Sequence, residues 1–245
     1  MMLSPDRTVR EVVLELPQAA RVFERLKIDY CCGGDKPLGE ACATAGVKVE
    51  NLERMLAEAA PAPGNGSIDF GKATLGELIG HILLTHHVYT KEEMARLEPL
   101  MVKVIEAHGT NHPELKGMGE LFQQLCADLK PHMFKEEQIL FPYLVEMERS
   151  AVENRPAPFA PFGSVNNPIR MMMMEHETVG DLLRELRALS SDYTVPPDGC
   201  ISYQTLYQAL EAFEGDLHQH IHLENNILFP RAIELEENPG GTSQR

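Results

Sequence analysis

Basic residues are scarce in this sequence of 245 residues. Its 22 lysines and arginines are outnumbered by 37 aspartates and glutamates, which gives a formal net charge of −15 at pH 7. A protein this acidic repels nucleic acid and anionic lipid headgroups, so we expect neither as a partner. Long apolar runs are missing as well, and none approaches the roughly 20 residues that a membrane-spanning helix needs.

The sequence also lacks an export signal and a cysteine-rich framework. Glu11 and Glu15 interrupt the only apolar stretch near the N-terminus, where a signal peptide would have an uncharged core. The five cysteines therefore indicate a protein of the reducing cytoplasm. Cys42, Cys126 and Cys200 show no spacing typical of a zinc site, and we expect them to be isolated buried thiols.

An eleven-residue pattern occurs twice in the chain. The copies are His132-Met-Phe-Lys-Glu136-Glu-Gln-Ile-Leu-Phe-Pro142 and His220-Ile-His-Leu-Glu224-Asn-Asn-Ile-Leu-Phe-Pro230. Each copy places a histidine and a glutamate four positions apart, which is one helical turn and hence one face of a helix. Two helices that face each other would bring the two pairs together as four ligands for a metal site.

A histidine and a glutamate at this spacing are more often a solvated pair on a helix surface. Here the preceding residues favour burial, because each pair continues an apolar stripe of its predicted helix. A buried carboxylate without a partner is costly or takes up a proton, and a metal ion removes that cost. The residues of the two stripes are Leu121, Leu125 and Leu129 before His132, and Leu206, Leu210, Phe213 and Leu217 before His220.

Two further histidines extend the duplication. His87 precedes His132 by nearly the same number of residues as His176 precedes His220, and each lies on the apolar stripe of an earlier predicted helix. Residues 74–236 are therefore predicted to form two helical hairpins that make a four-helix bundle, a common place for inward-facing metal ligands. The predicted ligands are His87, His132, Glu136, His176, His220 and Glu224.

This ligand set can hold two metal ions. Each ion would take two histidine nitrogens, and both carboxylates would bridge the pair. The count leaves room for a bridging oxo or hydroxo group and for one open position that a small molecule can occupy. Imidazole and carboxylate suit iron, but they also suit manganese and zinc, so ligand type alone does not identify the metal.

Other histidines near the predicted ligands do not continue the stripes. His86 is expected at the surface or behind the ligands, and His218 and His222 point towards other faces of their helix. His108 lies too far along one continuous helix to share a site with His87, so we expect a helix-end residue there.

Prolines lie close to the two copies of the repeated pattern. Pro131, directly before His132, predicts a bend in its helix. Pro142 and Pro230 follow the two glutamates at equal offsets and predict helix ends or kinks. The proline-rich segment 155–168 is predicted to be a crossover loop between the two hairpins.

Residues 1–60 have a different character and are predicted to form a small helical domain. Proline, glycine and serine follow it, so residues 61–73 are predicted to be a linker. Residues 237–245 are predicted to be a disordered tail. The helical patterns of the small domain are Thr8–Leu16, Pro17–Leu26, Leu38–Ala45 and Asn51–Ala59.

The small domain contains the sequence Tyr30-Cys31-Cys32-Gly33-Gly34, for which we expect an exposed turn. One interpretation is an accessible dithiol that is reactive or handles metal. The other is that two small apolar residues occupy the turn. Adjacent cysteines close a strained ring when they pair with each other, so pairing between two chains, and hence a homodimer, is easier.

The Cys-Cys-Gly-Gly module followed by two His-x-x-x-Glu motifs, each with Ile-Leu-Phe-Pro, resembles the family of iron–sulfur cluster repair proteins (repair of iron centres, the ScdA and YtfE type). The resemblance covers nearly the whole chain. It implies a hemerythrin-like up-down bundle with a non-haem di-iron centre, held by the six ligands named above, and it matches Cys31 and Cys32 to the functional cysteine pair of the family. Pro131 departs from the family pattern.

The resemblance implies a cytoplasmic protein that restores iron–sulfur clusters damaged by nitric oxide or peroxide. The di-iron centre would lend iron or react with nitric oxide, while Cys31 and Cys32 pass iron, nitrosyl groups or electrons. Two other functions stay open: a hemerythrin-like module that binds or senses oxygen or nitric oxide, and a nitric oxide reductase or peroxidase acting at the two metals. The expected partners are damaged iron–sulfur proteins and these small molecules.

Overall fold

Helices make up the regular structure of this protein. The computed structural model describes residues 3–59 and 70–238, and these ranges contain no β-strand. The predicted all-α fold class is therefore confirmed. The described residues divide into two compact units, one containing residues up to 74 together with 218–230, the other containing 75–217 together with the residues from 231 onwards.

The predicted domain boundaries at residues 60, 73 and 236 stay predictions. Most of the predicted linker, residues 61–69, lies outside the described residues, and so does the predicted tail beyond residue 238.

Four short helices begin the first unit, close to the four predicted patterns. A capping box starts the first of them, because the side chain of Thr8 accepts the backbone N–H of Glu11 and the carboxylate of Glu11 accepts that of Thr8. The apolar faces of the four helices share one core that includes Val22, Phe23 and Leu52. The helices are α1 (Val9–Glu15), α2 (Ala19–Leu26), α3 (Leu38–Thr44) and α4 (Val49–Glu58).

Four long helical rods follow and form the up-down bundle. Aromatic packing joins them within the second unit, for example Phe122 against Phe213 with ring centroids 6.1 Å apart. No helix in the described part of the chain is both long and apolar enough to cross a membrane. The rods contain α5 (Leu75–His81), a π-helical segment π1 (Ile82–His87) and α6 (Val88–His108); α7 (Glu114–Lys135), π2 (Glu136–Leu140) and α8 (Phe141–Val152); α9 (Asn166–Leu189); and α10 (Ile201–Leu223), π3 (Glu224–Leu228) and α11 (Phe229–Glu237).

Each π-helical segment begins or ends at a predicted metal ligand. π1 ends at His87, π2 begins at Glu136 and π3 begins at Glu224. The widened turn is visible in the hydrogen bonds, because the N–H of Phe141 donates to the carbonyl of Glu136, five residues earlier, and Phe229 repeats this with Glu224. Single π-helical turns are rare and occur frequently at functional sites.

Proline explains two of these wide turns. A proline inside an α-helix lacks an N–H and its ring collides with the carbonyl four residues earlier. Pro142 and Pro230 come two residues after the ends of π2 and π3, and the extra residue in each turn relieves that collision. The helices therefore continue through both prolines as α8 and α11, so the predicted helix ends are wrong. π1 has no such proline, and nothing in the structure explains its wide turn.

The two other proline predictions have separate outcomes. α7 runs through Pro131 without interruption. The predicted crossover loop is three residues shorter at its end than expected, because α9 begins at Asn166. Pro168 thus lies in the first turn of a helix, where its missing N–H has no intrahelical partner to lose.

Candidate metal centre

Four of the six predicted ligands lie together in the unit of residues 75–217, and all four are buried. The Nε2 atom of His87 is 3.5 Å from Oε2 of Glu136, and Nε2 of His132 is 3.3 Å from the same oxygen. His176 approaches from α9, with its Nε2 atom 3.1 Å from Nε2 of His132. The carboxylate of Glu136 therefore faces the imidazoles of His87 and His132, and the imidazole of His132 also faces that of His176.

Two of these histidines are oriented from behind by carboxylates. Nδ1 of His87 is 2.8 Å from Glu137 Oε1, and Nδ1 of His132 is 2.8 Å from Glu175 Oε2. Because a carboxylate only accepts, Nδ1 carries a proton in each pair, which leaves Nε2 as the ring nitrogen that can bind a metal on the side of Glu136.

This arrangement fits a bound cation. Nε2 of His132 faces the carboxylate of Glu136 at 3.3 Å, and a cation between the two would bind both. The ligand atoms of His132, Glu136 and His176 all lie within 4.8 Å of one another. A metal ion with bonds of about 2 Å to nitrogen and oxygen can span such a group. Iron, manganese and zinc all accept this mixture of imidazole and carboxylate.

The supporting carboxylates remain ionised. The hydrogen bond from His132, with the help of Lys135 and against the effect of burial, lowers the pKa of Glu175 to about 2. Burial raises the pKa of Glu137, but hydrogen bonds from Lys91 and the ligand histidine outweigh it and hold the pKa below its usual range. His87 and His132 are thus each backed by a carboxylate that is itself bound to a lysine.

Neither supporting carboxylate was among the predicted site residues, although each adjoins a predicted ligand. Glu137 follows Glu136 directly, and Glu175 precedes His176 directly. Consecutive residues of a helix point about 100° apart. A residue next to a predicted ligand therefore points to one side of it, where it can contact a predicted ligand of another helix. Acidic residues beside the ligands were the available signal.

The other two predicted ligands lie in the unit that contains residues 218–230. Nε2 of His220, near the end of α10, is 3.0 Å from Oε1 of Glu224, at the start of π3. Both side chains are buried. The pair repeats the spacing of His132 and Glu136, as the duplicated pattern predicts.

The cysteine pair is less accessible than predicted. Cys31 is buried and Cys32 is half-buried, and their Sγ atoms are 3.6 Å apart as free thiols. The carboxylate of Asp29 accepts the backbone N–H of Cys32 at 2.9 Å and lies 3.4 Å from the Cys31 sulfur. The hydrogen bond with Cys32, together with burial, raises the pKa of Cys31 well above its usual value. The predicted exposed dithiol is therefore wrong for Cys31, which is a neutral thiol.

Two asparagines of π3 hold the backbone of the cysteine loop. The side-chain amide of Asn225 donates to the carbonyl of Cys31 at 3.3 Å, and that of Asn226 donates to the carbonyl of Tyr30 at 3.0 Å. Both asparagines directly follow Glu224 in the second copy of the repeated pattern, where the first copy has glutamate and glutamine. The two copies therefore use these positions for different contacts.

A glycine is required where the loop meets π3. A Cβ atom on Gly34 would lie 3.0 Å from the carbonyl oxygen of Tyr30 and 3.3 Å from Cβ of Arg10. Arg10 in turn donates from Nε to Oδ1 of Asn226 at 2.6 Å. The close approach of three segments explains why the cysteines are followed by glycine.

The remaining histidines have partners other than the predicted ligands. His86 is buried, with Nδ1 2.9 Å from Oδ1 of Asp216. His218 lies 3.0 Å from Glu24 through Nδ1, and His222 contacts an asparagine amide of π3. His108 is the last residue of α6, as predicted.

Two of the three isolated thiols are buried as predicted. Cys42 and Cys126 lie inside the cores of their helices. Cys200 is exposed, so the prediction is wrong for this residue. It precedes α10 by one position and therefore lies outside any apolar stripe.

Comparison with known proteins identifies two family matches. Residues 78–232 match the hemerythrin HHE cation-binding domain, and residues 5–60 match a domain of unknown function, DUF542, also called ScdA_N. Similar proteins include the iron–sulfur cluster repair proteins YtfE of Citrobacter koseri, Escherichia coli O157:H7 and Shigella boydii. Each is 33% identical over 228 residues, which is 93% of this chain and 97% of the relative.

These matches cover both the helical bundle and the cysteine module. A hemerythrin-type domain is a non-haem iron-binding domain, and the buried histidines and glutamate of the bundle supply ligands for such a metal. The chain therefore belongs to the hemerythrin HHE cation-binding family and, over nearly its whole length, to the family of YtfE-type iron–sulfur cluster repair proteins.

Proposed function

We propose that this protein holds two non-haem iron ions in its helical bundle and restores iron–sulfur clusters damaged by oxidative or nitrosative stress. The observation that carries the proposal is the buried group of His87, His132, Glu136 and His176, whose facing atoms fit a cation. Relatives named for iron–sulfur cluster repair support the biological role.

His220 and Glu224 complete the ligand set in this proposal. The duplicated pattern supports them, because they occupy the positions of His132 and Glu136 in the second copy and are equally buried. Each iron would take two histidines, and the two glutamates would bridge the pair together with an oxo or hydroxo group. Iron in such a site supplies reversible redox chemistry and an exchangeable coordination position.

The chain orients these ligands and keeps water away from them. Glu137 and Glu175 hold the Nδ1 protons of His87 and His132, which fixes each ring so that Nε2 points at the metal position. Apolar neighbours such as Phe141, whose ring lies 5.7 Å from that of His87, exclude solvent. Because these apolar side chains surround the metal position, a small molecule would reach the metal only along restricted paths.

The cysteine pair is the proposed handling site for iron or electrons. Ligand atoms of Asp29, Cys31 and Cys32 lie within 4.8 Å of one another, a spacing that suits transient coordination of a thiophilic ion. Cys32 is the more exposed member of the pair and would meet the client first. Within this pair, Cys32 is the cysteine that could form a disulfide between two chains, and the proposed homodimer would use it.

The proposed partners are damaged iron–sulfur proteins, with nitric oxide or oxygen as small-molecule partners. The cytoplasm is the proposed compartment, and the five free cysteines support it, because free thiols persist in reducing surroundings.

Metal content tests the first part of the proposal. The protein is purified anaerobically and compared with Glu136→Gln, which removes a charged ligand, and Glu177→Gln, which changes an exposed glutamate beside His176. We expect about two irons per chain and a bridged di-iron Mössbauer signature in the parent and in Glu177→Gln. Glu136→Gln should lose most of the iron. Zinc, or no metal, in the anaerobically purified parent would overturn the proposal.

Repair activity tests the cysteine role. The double variant Cys31→Ala with Cys32→Ala is compared with Cys42→Ala, a buried cysteine of the same small helical module. The readout is recovery of activity by a client enzyme whose cluster has been damaged by nitric oxide. The double variant should retain its iron but lose at least about tenfold in repair rate, a change equal to roughly 1.4 kcal/mol in the barrier. Repair at the parental rate would remove the cysteines from the mechanism.

A further inference from the structure

A histidine and a thiol meet where the end of α6 lies beside the start of α10. His108 is the last residue of α6, and Cys200 comes directly before α10. Nε2 of His108 is 3.1 Å from the sulfur of Cys200, and the cysteine is exposed. Neither residue belongs to the proposed ligand set or to the Cys31–Cys32 pair.

Cys200 occupies the N-cap position of α10. Its carbonyl accepts the N–H of Gln204 at 3.0 Å, which is the first bond of the helix. The backbone N–H groups of Tyr203 and Ser202, at the helix positions that an N-cap side chain normally serves, favour the charged form of the thiol and lower its pKa. Together with the helix dipole, these N–H groups stabilise a negative charge on sulfur.

The neighbouring charged groups do not cancel this effect. Asp198 lies two residues before Cys200, but its carboxylate binds Nε2 of His112 at 3.0 Å. Glu114 binds the other nitrogen of His112 at 3.2 Å. Both carboxylates that face this corner are thus paired with one histidine, which leaves His108 as the side chain that contacts the sulfur.

The positions of the rings are fixed by packing. The ring of Tyr203 lies edge-on to His108 at 5.3 Å and to His112 at 5.6 Å between centroids. The backbone N–H of Tyr203, and then the side chain of His108, lower the pKa of Cys200 to about 7. A substantial thiolate fraction at neutral pH follows from this pKa.

We propose that Cys200 is a peroxide-reactive thiol that uses His108 as its proton-holding partner. The thiol proton moves to Nε2 of His108, and the thiolate attacks one oxygen of hydrogen peroxide. The O–O bond breaks, an S–O bond forms, and the departing hydroxide takes the proton from the imidazolium as water. The sulfur is oxidised by two electrons to a sulfenic acid while the peroxide is reduced. The site does not depend on iron and goes beyond the proposed repair function.

The pH dependence of alkylation tests the activated thiol. The full-length protein as purified is treated briefly with iodoacetamide between pH 5.5 and 9.5, and each cysteine is quantified by peptide mass spectrometry. We expect the Cys200 labelling rate to have its midpoint near pH 7, well below the roughly 8.5 of an ordinary thiol. His108→Gln should raise the midpoint by about half a unit or more. His81→Gln, which changes a histidine at the end of α5 and leaves His112 and its two carboxylates intact, should leave it in place.

Peroxide treatment followed by dimedone tests the oxidation itself. Cys200 should trap dimedone before the buried Cys42 and Cys126, and His108→Gln should trap it several-fold more slowly at pH 6.5 while keeping the parental melting temperature. A midpoint near pH 8.5 in the parent, or equal trapping in the parent and His108→Gln, would overturn the proposal. Protection of Cys200 by added zinc would also overturn it, because the thiol would then be a metal ligand.

Discussion

The carboxylate of Glu175 controls which nitrogen of His132 is available to a metal. It accepts the Nδ1 proton at 2.8 Å and is itself held by Lys135. The same arrangement recurs at His87, where Glu137 takes the place of Glu175. Because both rings are fixed in this way, the lone pairs on Nε2 are positioned before any metal arrives.

Removal of this support should weaken metal binding without removing a ligand. Glu175→Ala leaves His132 free to rotate or to change tautomer, and loss of such a partner typically costs 10–100-fold in metal affinity. We expect at least about a tenfold increase in the rate at which a chelator removes iron. Glu177→Ala, two positions along the same helix and exposed, is the matched control. Equal chelation rates in the two variants would show that Glu175 does not support the ligand.

The sequence could not predict which single residues outside the helices are buried. The periodic stripes correctly predicted the burial of the proposed ligand side chains, because a helix repeats its faces every 3.6 residues. Cys31 and Cys200 lie in segments without a period, so their exposure depends on contacts far along the chain. Cys31 is covered through Asn225, and Cys200 is left open beside His108.

The local sequence pattern predicted the positions of two π-helical segments but not their conformation. The Ile-Leu-Phe-Pro blocks marked two positions where the helix changes, since a proline removes one helical hydrogen bond and crowds the carbonyl four residues earlier. The chain can accommodate such a proline either by ending the helix or by widening one turn. The helix continues when the residues after the proline are buried in the core. Phe141 and Phe229, each nearly completely buried, keep the chain helical beyond the turn.

π3 also holds the cysteine loop, and this contact can be tested through Cys31. Asn226→Ala removes the donor to the carbonyl of Tyr30 and the acceptor for Arg10. Loss of a buried hydrogen-bond partner costs about 1–3 kcal/mol, so the open form of the loop should become roughly 5- to 150-fold more populated. We expect Cys31 to be alkylated at least about fivefold faster in the variant.

The matched control for this experiment is Asn51→Ala, an exposed asparagine of α4 in the same unit. It should leave the Cys31 labelling rate at the parental value. A parental rate in Asn226→Ala as well would mean that the asparagine does not hold the loop closed, and that burial of Cys31 comes from the apolar contacts of the small module alone.

Across the whole chain, the two copies of the repeated pattern make different contacts. Glu137, directly after Glu136, binds the predicted ligand His87, whereas Asn225, directly after Glu224, binds the cysteine loop. The repeat, the four helices and the burial of the six predicted ligands could be predicted from the sequence. The different contacts of the two copies could not be predicted from the sequence, because Glu137 and Asn225 bind partners that lie 50 and 194 positions away.

If the proposed irons bind only the folded chain, their removal should lower its stability. A ligand present at about a thousand times its dissociation constant stabilises the folded state by about 4 kcal/mol. For a protein of this length each kcal/mol moves the melting temperature by about 2–4 °C, so chelation should lower it by roughly 10 °C. Calorimetry of the anaerobic protein before and after chelation measures this shift. Glu136→Gln should melt at one temperature in both states, since it has little iron to lose. A parental protein whose melting temperature does not change on chelation would contradict the metal-binding proposal. An ion that binds the folded state in preference to the unfolded state must stabilise the folded state.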